Sequence, residues 1–396
     1  MKFNALKFIF KSVCVILTLC ILFCLTAGAE PSPQRGEHPE ALEDTLNLPC
    51  KSAILVEANT GTVLYEKNAD EPLPPASVTK VMTLLLVMEA IDSGKIGYGD
   101  TVRASANACS MGGSQIYLKE NEEMTVEDLL KSVIIASAND AAVALAEHIC
   151  GSEEAFVDKM NEKAQMLGMK NTHFENTNGL DDTTQNHVIS ARDIAIVSRE
   201  LIKHKKVIEY SSIWMDSIRN GSFGLTNTNR LIRFYNGATG LKTGSTDKAG
   251  FCISATAKRG EMELIAVIMG SETRDERNSA ATKLLDYGFN NYRIFSDDGG
   301  VIDNIPISKG ERASFSVEYP KIKMIVPKET GKISAGIQIS ENIEAPVKSG
   351  DIVGIVSYTD GKGEICQIDI IACENVKRLS FWSGFMLLLK KCAEML

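Results

Sequence analysis

The 396-residue chain is short of most features that would classify it at once. No apolar run reaches the roughly 20 residues of a membrane-spanning helix; the stretch Val13 to Leu25 holds 13 and is broken by Thr18. Positive charge is in deficit, with 42 Lys and Arg against 51 Asp and Glu and a formal charge of −9. That balance excludes general nucleic-acid binding, which works by neutralising phosphates. The ten cysteines show no CxxC spacing, and the five histidines (His38, His148, His173, His187, His204) no zinc-binding pair. Neither a zinc site nor a disulfide framework is indicated. GATGLKTG (237–244) looks superficially like a phosphate loop but has no Gly-Lys-Ser/Thr at the required spacing. Internal repeats and long low-complexity tracts are absent.

What is present begins with an export signal. Lys2, Lys7 and Lys11 form a basic segment, the apolar stretch follows, and Ala27-Gly28-Ala29 offers small residues for cleavage before Glu30. A spanning helix is the alternative reading. Cys20 and Cys24 follow Leu19 and Phe23, not small residues, which argues against lipoprotein processing. Residues 1–29 are read as a signal peptide, so the mature protein is expected outside the cytoplasm, three units more negative. Seven cysteines remain beyond the leader (Cys50, Cys109, Cys150, Cys252, Cys366, Cys373, Cys392). They read mostly as small buried hydrophobes, with room for one oxidised pair. Residues 30–48 are polar and proline-bearing and read as a linker.

The remaining length suggests two domains. SAILVEANTGTVLYEKN (52–68) reads as two strands around Asn59-Thr60-Gly61. From Ala76 to Asp92 the apolar pattern is helical, entered through Pro74-Pro75 and stopped near Gly94. Thr125, with Asp128 three residues on, caps a second helix. Further helices are expected over 141–150, 153–167 and 191–203. After residue 238, TGLKTG, GFCISATAK and MELIAVIMG are strands joined by short turns, hence an antiparallel meander. RDERNSAATKLLDYGF (274–289) is an amphipathic helix suited to lie on it. Residues 49–295 thus predict an α+β domain: an antiparallel sheet with a helical insertion between early and late strands. Residues 299–373 hold only short alternating segments (KMIVPK, GIQIS, DIVGIVSY, CQIDIIA) and predict a small all-β domain.

Ser77 and Lys80, in PASVTK (75–80), are three residues apart and share a helix face. In a first helical turn, unpaired N–H groups favour developing negative charge. A serine hydroxyl attacks only with a base beside it. A lysine is a base at neutral pH only if burial or neighbouring positive charge destabilises its ammonium form, and VMTLLLVMEAI (81–91) supplies burial. The bland alternative is a capping serine with a snorkelling lysine. The same spacing recurs at Ser245 and Lys248, read as a surface turn. Ser137 and Asn139 stand in the break between two apolar helices, where they either face a cleft or cap a helix. Lys242, Thr243 and Gly244 close a strand of the sheet; the glycine permits close approach of a ligand, while the lysine alone would pass for an edge-strand charge.

In the order Ser-x-x-Lys, Ser-x-Asn, Lys-Thr-Gly, these residues resemble the three signature motifs of penicillin-recognising active-site serine enzymes. PPASVTKVMTLLL (74–86), SANDAAVALAEHICGSEEAFVDKMNEKAQMLGMKNTHFENTNGL (137–180) and GLKTGSTDKAGFCISATAKRGEMELIAVIMG (240–270) are similar to the low-molecular-mass penicillin-binding proteins that are D-alanyl-D-alanine carboxypeptidases. The likeness runs over about residues 50 to 290, with the β-domain and terminal helix in the same arrangement. It implies a β-lactamase/transpeptidase-like fold, with Ser77 the acyl-forming nucleophile and Lys80 its base. Ser137 would relay a proton between Lys80 or Lys242 and the leaving group, and Asn139 would bind the substrate backbone. Lys242 and Thr243, beside Gly244, would receive the terminal carboxylate. The N–H groups of Ser77 and Ser245 would form the oxyanion hole, and Arg277 matches a basic position that helps fix substrate. The implied substrates are peptidoglycan stem peptides ending in D-Ala-D-Ala, with β-lactams as covalent inhibitors and no metal or organic cofactor.

Two rivals remain at this stage. A class A β-lactamase needs a Glu-x-x-Leu-Asn glutamate after the Ser-x-Asn motif, whereas Glu43 to Asn47 match those letters ahead of Ser77. A non-catalytic wall-binding protein on the same fold is opposed by the intact Ser77, Lys80, Ser137 and Lys242. Finally, residues 374–396 form an amphipathic helix whose Leu379, Trp382, Phe385, Met386, Leu389, Cys392 and Ala393 recur at helical spacing, bordered by Lys377, Arg378, Lys390 and Lys391. It is too short to span and is expected to lie in the interface on the outer face of the cytoplasmic membrane. Docking on the protein's own β-domain is the alternative.

Overall fold

The computed structural model describes residues 46–182 and 184–394; the leader 1–29 and the linker residues 30–45 lie outside them. Five strands form one antiparallel sheet: β1 (Ser52–Glu57), β2 (Val63–Lys67), β3 (Ala238–Thr246), β4 (Gly250–Arg259) and β5 (Met262–Ser271), in the order β2-β1-β5-β4-β3. The late meander is completed by β1, which pairs with β5 from Ser52 opposite Met269 to Glu57 opposite Leu264. Between β2 and β3 lies the helical insertion: α1 (Lys80–Asp92), α2 (Val126–Lys131), α3 (Asn139–Cys150), α4 (Glu153–Met166) and α5 (Ala191–Leu201), with shorter turns and hairpins.

Successive strand side chains point to opposite faces, and both faces of this sheet are covered. Ile54, Val56, Ile265, Val267 and Met269 face the insertion helices. Ala53, Leu55, Leu264, Ala266 and Ile268 face α6 (Arg274–Asn291), which contributes Ala280, Ala281, Leu284, Leu285 and Phe289. This explains why β5 reads MELIAVIMG without clean alternation. Helix α1 is apolar nearly all round because it is buried on nearly all sides, from Val81 and Met82 to Val87 and Met88. The N-caps are those the composition suggests: Thr125 accepts from Asp128 N, Ser152 from Ala155 N, Ser190 from Asp193 N, and Thr273 forms a full capping box with Glu276.

Strands β6 (Tyr292–Asp297), β7 (Gly300–Pro306), β8 (Ser314–Tyr319), β9 (Ile322–Pro327), β10 (Ser334–Ile339), β11 (Ile352–Thr359) and β12 (Glu364–Ala372) make the second part. They form a five-stranded sheet, β7-β8-β12-β11-β10, and a β6-β9 pair around a core including Phe315, Val317, Val356, Tyr358 and Ile370.

Several boundaries differ from the sequence reading. The chain enters the core at Leu46 and Leu48, inside the stretch read as linker, because these two apolar residues pack with α6. Tyr292 to Asp297 pairs with β9, so the second part begins before residue 295. The 374–396 stretch divides: Val376 is buried in the β-domain core and pairs with Val347, and only α7 (Phe381–Glu394) is helix. The cysteine reading is also corrected. Only Cys252 is buried; Cys50, Cys109, Cys150, Cys366 and Cys373 are half-buried and Cys392 is exposed.

Candidate active site

Ser77 does not sit in an α-helix. Ala76–Thr79 is a 3₁₀ turn that leads into α1, and Ala76 has a left-handed backbone, φ 49°. The expected proximity survives because residues three apart eclipse in a 3₁₀ turn. Lys80 Nζ lies 2.8 Å from Ser77 Oγ. The turn is held from behind. Gly179 (φ +84°) lies so close that a Cβ there would stand 1.8 Å from Ala76 O. Thr79 Oγ1 donates to Ala76 O at 2.9 Å. Glu175 N donates to His187 Nδ1 at 2.9 Å, which leaves the ring proton on Nε2, 2.7 Å from Thr79 Oγ1. Burial pushes His187 down to about 4, so this imidazole is neutral and structural at ordinary pH.

Lys80 is fully buried, and besides Ser77 its ammonium reaches Asn139 Oδ1 at 2.5 Å and Asn178 O at 2.8 Å. No carboxylate is among these partners. Burial, then the charge of Lys242, hold its pKa well below the ordinary lysine value, with Asp140 opposing. Asn139, assigned by resemblance to substrate, therefore also fixes the lysine; its Nδ2 donates to Gly112 O at 2.7 Å. The next residue, Asp140, is buried and accepts from Ile116 N and Leu118 N, pinning the loop that carries Gly112.

Ser137 follows a π-helical turn, Ser132–Ala136, and has a left-handed backbone, φ 64°. A π-turn and a non-glycine residue at positive φ are each unusual and concentrate at functional sites. Its Oγ accepts from Lys242 Nζ at 2.8 Å. Of the two lysines offered by sequence as its partner, Lys242 is thus the one in contact. Lys242 is also fully buried, and desolvation, then the Arg277 guanidinium, lower its pKa to about 7. Thr243 Oγ1 donates to Thr228 Oγ1 at 2.8 Å. Gly244 allows a close approach to the Ser77 turn: a Cβ there would stand 2.7 Å from Ser77 N and 2.9 Å from Val78 N. Ser245 and Lys248 are exposed, but only Lys248 lies in a surface turn; Ser245 is still in β3.

Ser77, Ser137, Thr243, Gly244, Ser245 and Arg277 line one cleft of about 720 Å³. Sequence reasoning missed Asn178, Gly112, Thr228 and Asp140. Of these only Asp140 carried a signal, as the acid that completes Ser-Ala-Asn-Asp at a helix start.

Residues 38–273 match the family described as D-alanyl-D-alanine carboxypeptidase, and residues 289–378 match the C-terminal domain of penicillin-binding protein 5. The chain is 43% identical over 350 residues to the D-alanyl-D-alanine carboxypeptidase DacF of Bacillus subtilis (strain 168), covering 86% of this chain and 88% of that one. Penicillin-binding protein 5 of Haemophilus influenzae superposes with a TM-score of 0.75 at 30% identity, covering 89% of this chain and 100% of that one. Penicillin-binding protein D2 of Listeria monocytogenes, solved with ampicillin bound, gives 0.57 at 33% identity, over 62% of this chain and 99% of that one.

Proposed function

The chain belongs to the D-alanyl-D-alanine carboxypeptidase family, and from that membership we propose that Ser77 is its acyl-forming nucleophile and Lys80 the base. The enzyme is a serine-type hydrolase that removes the terminal D-alanine from peptidoglycan stem peptides. One observation carries the residue assignment: a buried lysine with a lowered pKa, without a carboxylate partner, 2.8 Å from a serine hydroxyl at the cleft. A neutral amine there takes the Ser77 proton as Oγ attacks the carbonyl between the two terminal D-alanines. The N–H groups of Ser77 and Ser245 receive the developing oxyanion. The charged Lys242, with Thr243, holds the terminal carboxylate. Ser137, hydrogen-bonded to Lys242, passes a proton to the departing amine, and the proton taken by Lys80 replaces it, so that Lys80 is neutral again and Lys242 stays charged. Water then hydrolyses the acyl-enzyme. β-Lactams acylate the same serine. The test is D-alanine release from a pentapeptide: Lys80→Ala should lose about 1000-fold or more in rate, since both base and hydrogen-bond geometry go. Activity near wild type in that variant would mean another base.

The same reading puts the enzyme outside the cytoplasm, on the outer face of the cytoplasmic membrane, through α7. Leu379 N donates to Lys309 O, tying the chain to the β-domain just before the helix. Beyond it, Phe381, Trp382, Phe385, Met386 and Leu389 are exposed apolar side chains, up to 80% for Phe381. Such a face favours burial in the headgroup boundary, with Trp382 at its level. Among the described residues no helix is long and apolar enough to cross a membrane.

A further inference from the structure

The cleft does not end at the Lys242–Thr243 pair. Its lining also includes Trp214, Arg230, Arg233 and Phe234, together with Arg274 and Arg277 of α6. Four guanidinium groups therefore line one cavity of a chain whose formal charge is −9. Among the described residues, the only carboxylate within 4 Å of any of them is Asp275, 3.9 Å from Arg230 and itself 91% exposed. The cations crowd one another. Burial, followed by the charge of Arg274 and then of Arg230, lowers Arg277 to about 10.

Arg230, Arg233 and Arg274 are exposed to solvent, but the segment that carries Arg230 and Arg233 is held in place from beneath. Asn227 and Asn229 are buried; Asn227 Nδ2 donates to Ser211 O and Ile213 O, and Asn229 Nδ2 to Gly240 O. Asn227 Oδ1 accepts from Asn229 N, and Asn229 Oδ1 from Leu231 N. The segment carrying Arg230 and Arg233 is thus locked to the start of β3. Arg233 is further set between aromatic faces, 5.6 Å from the Trp214 ring centroid and 5.5 Å from that of Phe234, which orders the side chain.

The terminal carboxylate of a stem peptide needs one cationic pocket, and Lys242 with Arg277 beside it already makes that pocket. Arg230 and Arg233 are surplus to it. Thr228, hydrogen-bonded to Thr243, lines the same cleft two residues before Arg230, so the segment that carries both arginines adjoins the Thr243 end of the cleft. We propose that Arg230 and Arg233 form an anion subsite on the leaving-group side, so that the enzyme also releases terminal D-amino acids carrying a second carboxylate on their side chain. This rests on the assignment of Ser77, Lys80 and Lys242 above. In the step itself the Ser77 Oγ–carbonyl bond forms, the peptide C–N bond breaks, and the serine's proton leaves on the nitrogen of the acidic amino acid.

The experiment compares two peptides identical except for the last residue, one ending in D-Ala-D-Ala and the other in D-Ala-D-Glu. The wild-type enzyme should release both terminal residues. In Arg230→Gln/Arg233→Gln, kcat/KM for the acidic peptide should fall about 5- to 10-fold relative to that for D-Ala-D-Ala, the scale of partly exposed charge pairs. Raising ionic strength from about 0.05 to about 0.5 M should shrink the wild-type ratio in the same direction, as screening requires. Release of D-alanine without D-glutamate, or a ratio insensitive to both the double variant and salt, would overturn the subsite while leaving the Ser77 assignment standing. Failure to cleave either peptide, together with no penicillin adduct, would overturn that assignment and the subsite with it.

Discussion

Gly244 of the Lys-Thr-Gly strand lies directly against the backbone of Ser77, with room for hydrogen alone: a Cβ would meet Ser77 N at 2.7 Å. Strand β3 and the Ser77 turn are therefore packed backbone to backbone. Gly244→Ala must push the turn away from the strand that carries Lys242, because neither contacting atom belongs to a flexible side chain. A displacement approaching 1 Å costs about 100-fold in rate. Penicillin acylation kinetics should show that loss in a protein that still melts cooperatively; acylation within about twofold of wild type would mean that the strand and turn move independently.

On the proposed role of Lys242, this residue should set the alkaline limb of activity. Its pKa is lowered to about 7 in the free enzyme, so the charge that receives the carboxylate is present below that pH and lost above it. A plot of kcat/KM reports the free enzyme and should decline as pH rises through about 7. In the complex the bound carboxylate favours the ammonium form, so the limb in kcat should lie higher. Lys242→Arg, whose guanidinium stays charged, should move the limb in kcat/KM upward even if the rate falls. An unmoved limb would assign it to another group. The linkage to folding has the opposite sense: the unfolded chain holds the extra proton between about 7 and the ordinary 10.5, so this group's contribution to stability rises with pH across that window.

The attachment of α7 can be separated from the integrity of the β-domain. Truncation after Ser380 removes the exposed apolar helix but keeps Val376 in its core position and Leu379 bonded to Lys309. The shortened enzyme should fractionate as soluble protein with unchanged D-alanine release. Truncation after Glu374 also removes Val376, and its melting temperature should drop. Sedimentation of the Ser380 truncation with membranes would end the anchoring proposal.

The parts legible in the sequence are those governed by short-range rules. Ser77 and Lys80 fall together because a spacing of three places side chains alongside in a 3₁₀ turn as well as in an α-helix. The meander from β3 to β5 was readable from its short turns, and Thr125 from capping chemistry. Contacts made by carbonyls across long separations were not readable: Asn178 O and Gly112 O carry no side-chain signature, yet they position Lys80 and Asn139. The contact of Gly244 with the Ser77 turn was not readable, because a glycine announces close approach without naming what approaches. Leu46 and Leu48 were obscured by the polar, proline-bearing residues before them. Apart from Arg277, the arginine wall was not legible, because Arg230 and Arg233 come from one segment and Arg274 and Arg277 from another, and only the fold joins the two.

The assignment of Ser77 as nucleophile stands or falls on where a β-lactam becomes attached. Intact-protein mass spectrometry after brief exposure to penicillin, followed by peptide mapping, should show one adduct per chain on the peptide containing Ser77, and none in Ser77→Ala at unchanged thermal stability. An adduct of undiminished stoichiometry in Ser77→Ala, or one mapped to Ser137 or Ser245 in the wild-type enzyme, would contradict it.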